Sequence, residues 1–482
     1  MKKIFSLLFI VGVMLSTGCK KYLDIKPKGY TIPEFYEDYA KLLNNASLYR
    51  VSSAYPNYLT DDVQAGEVKD PNKAADYPLY ALFKRNMYEF KGGAIFEPGE
   101  SDRFYEPAYE HIYVYNTVIN NIEKVPDGSA ADKKQLKAEA QIGRAFEYLT
   151  LVNAYAEHYD PATATTALGV PLVSSEDINV KYKRNTIAEV YEFIKKDLDE
   201  ALPNLGNTAA HSFRPTKSVG YAFLSKMYLY MGKYDEALKN ANEALKLNNA
   251  LIDYSIYTNK KGTWGRVCTI ADQSVLFPDA DKSKESVWTR LTASSYGHVF
   301  AEVYASTDLL DVYRKSIPAG ATDQRLKLFF CDGQANFGAA MTLFPGRFLW
   351  APYIEFNMGF STPELYLIAA ECEARVGSKE LALEHIDKLR NMRIVGNKPL
   401  VASTNNEALE LVLDERRREM PYMGITRLVD LKRLNKDSRF AKTITHKNGT
   451  QTYTLAPNDK RYILPLPPKV LEYNPSIPVY ER

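Results

Sequence analysis

Apolar positions recur at three-and-four spacing along much of the chain, the period that places them on one face of an α-helix. The stretches 106–123 (EPAYEHIYVYNTVINNIE), 132–157 (DKKQLKAEAQIGRAFEYLTLVNAYAE) and 186–202 (TIAEVYEFIKKDLDEAL) each carry one such stripe. Thr186 followed by Glu189 predicts a capping box at the start of the third, with the hydroxyl taking the N3 amide and the carboxylate returning to the N-cap amide. Residues 218–247 and 364–391 each contain two helical periods separated by a turn, at Gly232-Lys233 and Gly377-Ser378.

Inside those two stretches, small and large residues follow the order of a tetratricopeptide repeat. Leu224, Tyr228, Gly232, Tyr234, Ala237, Ala241, Ala244, Leu245 and Leu247 hold the packing offsets in the first, and Tyr366, Ala370, Gly377, Ala382, Ile386 and Leu389 hold them in the second. Alanine at the crossing lets two antiparallel helices approach closely. Two units are too few for a free-standing solenoid, so the other helices are expected to complete one stack. The fold class this predicts is mainly α: a repeat-like helical body over 106–250 and 361–440.

Residues 49–105 and 251–360 lack the helical period. Segments such as YRVSSAYPNYLTDDV, YSIYTNKKGTWGRVC and GAAMTLFPGRFLWAPYIEF are rich in Gly, Pro and aromatics, which predicts a loop-rich insertion with a few short strands. Loops held on a rigid scaffold are where recognition usually sits.

The N-terminus narrows the compartment. Lys2 and Lys3 precede an apolar run, Ile4 to Leu15, that suits a signal peptide rather than a membrane span, and Ser16-Thr17-Gly18-Cys19 resembles a bacterial lipobox, with Ser16 where leucine is usual. Residues 1–18 are therefore expected to be removed and Cys19 to carry lipid. Cys268, Cys331 and Cys372 then remain, at most one disulfide can form, and no disulfide framework supports the fold. Cys372, within ELYLIAAECEAR, reads as a small buried hydrophobe.

Composition changes the picture in two ways. Across 482 residues, 61 Lys plus Arg nearly balance 59 Asp plus Glu, which argues against a global pull on nucleic acid. The 35 tyrosines and 21 phenylalanines, against 3 tryptophans, supply many flat faces for core or binding surface. Catalytic signals are missing: the 6 histidines are scattered, and HExxH, CxxC, GxSxG, Walker A and GxGxxG do not occur, so no enzyme chemistry, metal or cofactor is expected. Asp279-Ala-Asp281 reads as a solvated loop, because Lys284 and Arg290 stand where a calcium loop needs glycine and a bidentate glutamate. Glu415-Arg416-Arg417-Arg418-Glu419 could fit an oxyanion, but Glu415 and Arg418 are three apart on a helix and predict local pairing. Asp61-Asp62 suits a helix cap or turn, with acceptance of sugar hydroxyls as the alternative.

Four stretches, in this order, resemble the SusD/RagB family of Bacteroidetes outer-membrane lipoproteins. They are Tyr22-Leu23-Asp24 with Pro27 just after the lipobox cysteine, KAEAQIGRAFEYLTLVNAYAEHYD followed by GVPLV, the pair STPELYLIAAECEARVG and LDERRREMPYMGITRLVDLKRLNK, and the proline-rich tail YILPLPPKVLEYNPSIPVY. The resemblance implies one SusD-like domain over 19–482, anchored in the outer membrane and facing outward. It implies a non-enzymatic protein that captures oligosaccharide or polysaccharide and hands it to a SusC-like TonB-dependent transporter. A RagB-like peptide-uptake protein and a repeat scaffold for other proteins are the alternatives. Family ligand sites lie in loops comparable to the two irregular regions, where the candidates are Tyr80, Phe83, Trp264, Trp288, Tyr296 and Trp350.

Overall fold

The computed structural model describes residues 33–52, 55–65, 81–177, 179–259, 267–269, 275–292, 303–336, 341–352 and 354–482. The expected signal peptide and Cys19 lie outside them.

The helical stripes become α1 (Tyr105–Asn121), α2 (Ala130–Tyr155) and α3 (Ile187–Ala201), and the two repeat units become α4 (Lys217–Tyr230) with α5 (Tyr234–Leu247) and α6 (Thr362–Val376) with α7 (Lys379–Asn391). Two further helices complete the body, α8 (Asn405–Glu419) and α9 (Thr426–Leu434). At the head of α3, the Glu189 amide donates to the Thr186 hydroxyl and the Thr186 amide donates to the Glu189 carboxylate, the reciprocal cap expected. Gly232, with φ at +71°, supplies the left-handed turn between α4 and α5. Ala237, Ala241 and Ala244 are fully buried where these helices cross, and Cys372 is buried in α6.

Neighbouring helices pack in sequence, α1 on α2, α2 on α3 and α3 on α4. The second repeat pair then joins the first directly, because α5 and α6 pack on each other although the whole 251–360 region lies between them in the chain. Helix α6 also packs on α7 and α8, so the stack is continuous across the insertion. Gly143 in α2 permits close packing of α1 on α2, since a Cβ there would come within 2.3 Å of the Tyr115 ring of α1.

In the irregular regions, the described residues form two-stranded ladders. Strand β1 (Val63–Ala65) pairs antiparallel with β4 (Val303–Ala305), β2 (Tyr257–Asn259) with β3 (Val267–Thr269), and β5 (Phe330–Asn336) with β6 (Met341–Trp350).

Buried ion pairs fasten the insertion to the helical body. Glu415 of α8 accepts from Arg390 and Arg418, each at 2.9 Å, and lies 2.8 Å from Arg325 of the insertion. Arg393 joins Glu285 of the insertion at 2.8 Å to Glu419 of α8 at 2.9 Å. Burial alone would raise the Glu415 carboxyl, but the Arg325, Arg418 and Arg390 guanidinia outweigh it and hold the group at about 2. The Glu415–Glu419 run is thus structural, with its expected local pair formed. Asp61 and Asp62 stand in a turn, one of the two roles expected, and their carboxylates in addition pair with distant arginines. Both are buried; Arg427 of α9 donates to both Asp61 oxygens at 2.8 and 2.7 Å, and Arg417 of α8 donates to Asp62 at 2.7 Å. Ser306, directly after β4, donates to the Asp61 carbonyl at 2.6 Å, so these acids seat the β1–β4 ladder on the body.

Candidate functional site

The ladder ends determine where the candidate aromatics enter. The β1–β4 register is Val63↔Ala305, Gln64↔Tyr304 and Ala65↔Val303. Ala65 precedes the segment 66–80, which holds Tyr80, and Val303 follows 293–302, which holds Tyr296. A directly opposed antiparallel pair has its Cα atoms about 4.5–5.5 Å apart, so segment 66–80 departs from beside the point where segment 293–302 returns, although the two are far apart in sequence. The β5–β6 hairpin closes on Asn336↔Met341, and β6 lies against β4 through Tyr304 and Phe344, whose ring centroids are 5.5 Å apart. The β2–β3 hairpin closes on Asn259↔Val267 around the segment holding Trp264. Tyr80, Trp264 and Tyr296 themselves lie outside the described residues.

The other three candidates are packed into the protein. Trp288 is 0% exposed, donates its indole N–H to the Phe213 carbonyl at 2.9 Å, and has the Arg290 guanidinium 3.4 Å from its ring centroid. Its aromatic plane is covered by the protein's own cation, and this corrects its assignment as a ligand surface. Trp350 is 4% exposed and packs against Phe330, Tyr422 and Phe356 with ring centroids 4.9, 5.4 and 5.5 Å away. It lines a cavity of about 70 Å³ with Phe329, Phe356, Glu355 and Asn357. A cavity that accepts a benzene ring is on the order of 150 Å³, so this one admits no sugar ring in the present conformation. Phe83 is half-buried, edge-on to Tyr55 at 5.4 Å and stacked with Phe96 at 5.6 Å.

Sequence reasoning missed Arg347, whose guanidinium lies 3.9 Å from the Tyr304 ring centroid at the junction of β4 and β6. An arginine within an aromatic strand, PGRFLW, was the available signal. It also missed the Arg50–Glu355 pair, 2.9 Å apart and half-exposed, which joins the first irregular region to the second. Among the described residues, no group of three or more His, Cys, Asp and Glu is arranged to hold a metal ion.

A repeat-like helical stack interrupted by a ladder-and-loop insertion is shared with known proteins. A family model described as "Starch-binding associating with outer membrane" matches residues 21–229, and the SusD family model matches 362–478. The two together span more than half of the chain. The chain belongs to the SusD family. A SusD-like protein of Formosa agariphila is 24% identical over 429 residues, covering 79% of this chain and 80% of that protein. Among solved structures, a SusD superfamily protein from Bacteroides thetaiotaomicron aligns with TM-score 0.70 at 20% identity, covering 93% of this chain and 100% of that one. A putative sugar binding protein from Bacteroides vulgatus aligns with TM-score 0.66 at 20% identity, covering 93% and 99%. These structural likenesses establish the SusD fold. The family is outer-membrane associated, and among the described residues no helix is long and apolar enough to cross a membrane.

Proposed function

We propose that this SusD-family protein is a lipid-anchored receptor on the outer face of the outer membrane, binding oligosaccharide or polysaccharide and delivering it to a SusC-like TonB-dependent transporter. The observation that carries the reading is the Ala65↔Val303 pair, from which the chain runs toward Tyr80 on one side and arrives from Tyr296 on the other. Sugar rings offer apolar C–H faces that stack on aromatic planes, and weak contacts add along several rings. Trp264, in the chain segment between β2 and β3, is the third member of this proposed platform. The names of the relatives support carbohydrate as the ligand class: one solved neighbour is titled a SusD-like carbohydrate binding protein. Cys19, in its lipobox-like setting, is the proposed anchor.

The test is affinity electrophoresis of the soluble chain beginning at Tyr22 in gels containing single polysaccharides. At least one should retard the wild type, and a variant combining Tyr80→Ala, Trp264→Ala and Tyr296→Ala should run as in a gel without polysaccharide. Unchanged retardation of the triple variant overturns the site. Peptide binding with no response to any glycan replaces the function with RagB-like peptide capture. Cys19→Ala should move the protein from the membrane to the soluble fraction, and co-purification from solubilised membranes tests the transporter.

A further inference from the structure

A large groove lies on the helical body, with no lining residue from the 251–360 insertion. It runs along α1 between the 171–182 segment and the C-terminal tail, has a volume of about 1200 Å³, and shares no lining residue with the cavity at Trp350. Two tyrosines open onto it, Tyr113 at 47% exposure and Tyr473 at 54%. Glu106, Glu110 and Asp177 also line it, and no lysine or arginine does. Two lysines approach from the rim: Lys469 is 3.7 Å from Glu106, and the Lys181 ammonium stands 5.5 Å from the Tyr473 ring centroid.

A buried group points the same way. His111 of α1 is buried yet lines the groove, and its Nδ1 lies 3.1 Å from the Glu147 carboxylate of α2. With Nδ1 engaged there, Nε2 has no hydrogen-bond partner among the described residues. Carboxylates without a basic residue in the lining, beside exposed aromatic faces, match a ligand whose charge is positive and flat. Guanidinium is that group: it has five N–H donors and no acceptor, and it stacks on aromatic rings. The chain makes the same contact internally, with Arg290 on Trp288, Arg347 on Tyr304 and Arg393 on Tyr254. A neutral glycan would leave the charge of Glu106, Glu110 and Asp177 without a counter-charge of its own.

We infer that the α1 groove docks an extended, arginine-bearing segment of a partner protein, a surface separate from the proposed glycan platform. The test uses a fluorescently labelled octapeptide of alternating arginine and glycine, its citrulline counterpart of the same shape without charge, and a glutamate–glycine control, with binding to the full mature chain read by anisotropy. The arginine peptide should bind and the other two should not. Its affinity should fall about tenfold or more in a Glu106→Gln, Glu110→Gln, Asp177→Asn variant, and again in a Tyr113→Ala, Tyr473→Ala variant, and it should weaken with salt. Both variants should keep the wild-type thermal midpoint and polysaccharide retardation, which separates this result from failure of the glycan reading. The inference is overturned if the arginine peptide does not bind, if citrulline replaces arginine without loss, or if neither variant weakens binding. Loss of oligosaccharide binding in the tyrosine variant would overturn it in favour of a second glycan surface.

Discussion

The helical body and the loop-rich insertion use buried surface differently. In the body, alanine and aliphatic residues meet at helix crossings, as Ala237, Ala241, Ala370, Ala382 and Ile386 do, all fully buried. In the insertion, large aromatics fill the space, with Phe329, Trp350 and Phe356 in mutual ring contact, Phe277 against Phe329, and arginines laid over Trp288 and Tyr304. Aromatic density in a region without helical period therefore signals a second kind of core as much as a binding surface. What joins the two regions is charge: Arg325 and Glu285 of the insertion reach Glu415, Glu419 and Arg393 of the body through buried ion pairs.

That joint is where the largest effect is expected. Glu415→Gln leaves Arg325, Arg390 and Arg418 buried around a neutral group, and breaking a buried pair in this way costs about 3–5 kcal/mol. A urea unfolding midpoint close to wild type would mean that the two regions hold together without the charges. Trp288→Ala should cost a similar amount, about 3–5 kcal/mol, because it opens a cavity in a fully buried site. A small change there would restore Trp288 as a surface residue and erase the contrast between the two cores.

The buried arginine–carboxylate pairs, Glu415 at the joint and Glu371 and Asp430 within the body, have a pH signature. Burial raises the carboxyls of Glu415, Glu371 and Asp430, but neighbouring arginines outweigh it and leave each at about 2. Unfolded carboxyls titrate near about 4, so below that pH the unfolded chain binds more protons, and stability falls as pH drops from about 4.5 toward 2. Each group contributes about 2–3 kcal/mol that is present above this window and lost through it. Glu285 acts in the opposite sense, because burial raises its carboxyl by more than Arg393 lowers it. Urea midpoints measured between pH 7 and pH 2.5 should decline only in the acid window; a flat profile would remove the arginine–carboxylate account.

The body was legible in the sequence because its forces are local and periodic. The Thr186–Glu189 box, the Gly232 turn and the alanines of both repeat pairs each follow from residues within one or two turns of one another. The insertion was legible only as texture. The sequence contains no local sign that Asp61 meets Arg427, that Trp288 donates to the Phe213 carbonyl, or that Ala65 pairs with Val303, since each depends on how distant segments come together. Candidate residues chosen by residue type therefore divided: Trp288 and Trp350 went to the core, while Tyr80, Trp264 and Tyr296 lie outside the described residues.

Helix caps give the finest comparison of the two regions. Ser306 caps the helix Thr307–Arg314 in the insertion, its hydroxyl accepting from the Leu309 amide at 3.1 Å while donating to the Asp61 carbonyl at 2.6 Å. Thr186 caps α3 in the body by a purely local exchange with Glu189. Removing either hydroxyl loses a cap, about 1 kcal/mol, but Ser306→Ala also leaves a buried long-range acceptor short of one donor, worth about 1 kcal/mol more. Ser306→Ala should therefore lower the urea midpoint about twice as far as Thr186→Ala. It should also loosen β1 from β4, raising amide exchange in the β1–β4 ladder, whereas Thr186→Ala should raise exchange only in the first turn of α3. Equal midpoints and unchanged exchange in that ladder would show that the arginine pairs to Asp61 and Asp62 alone hold it in place.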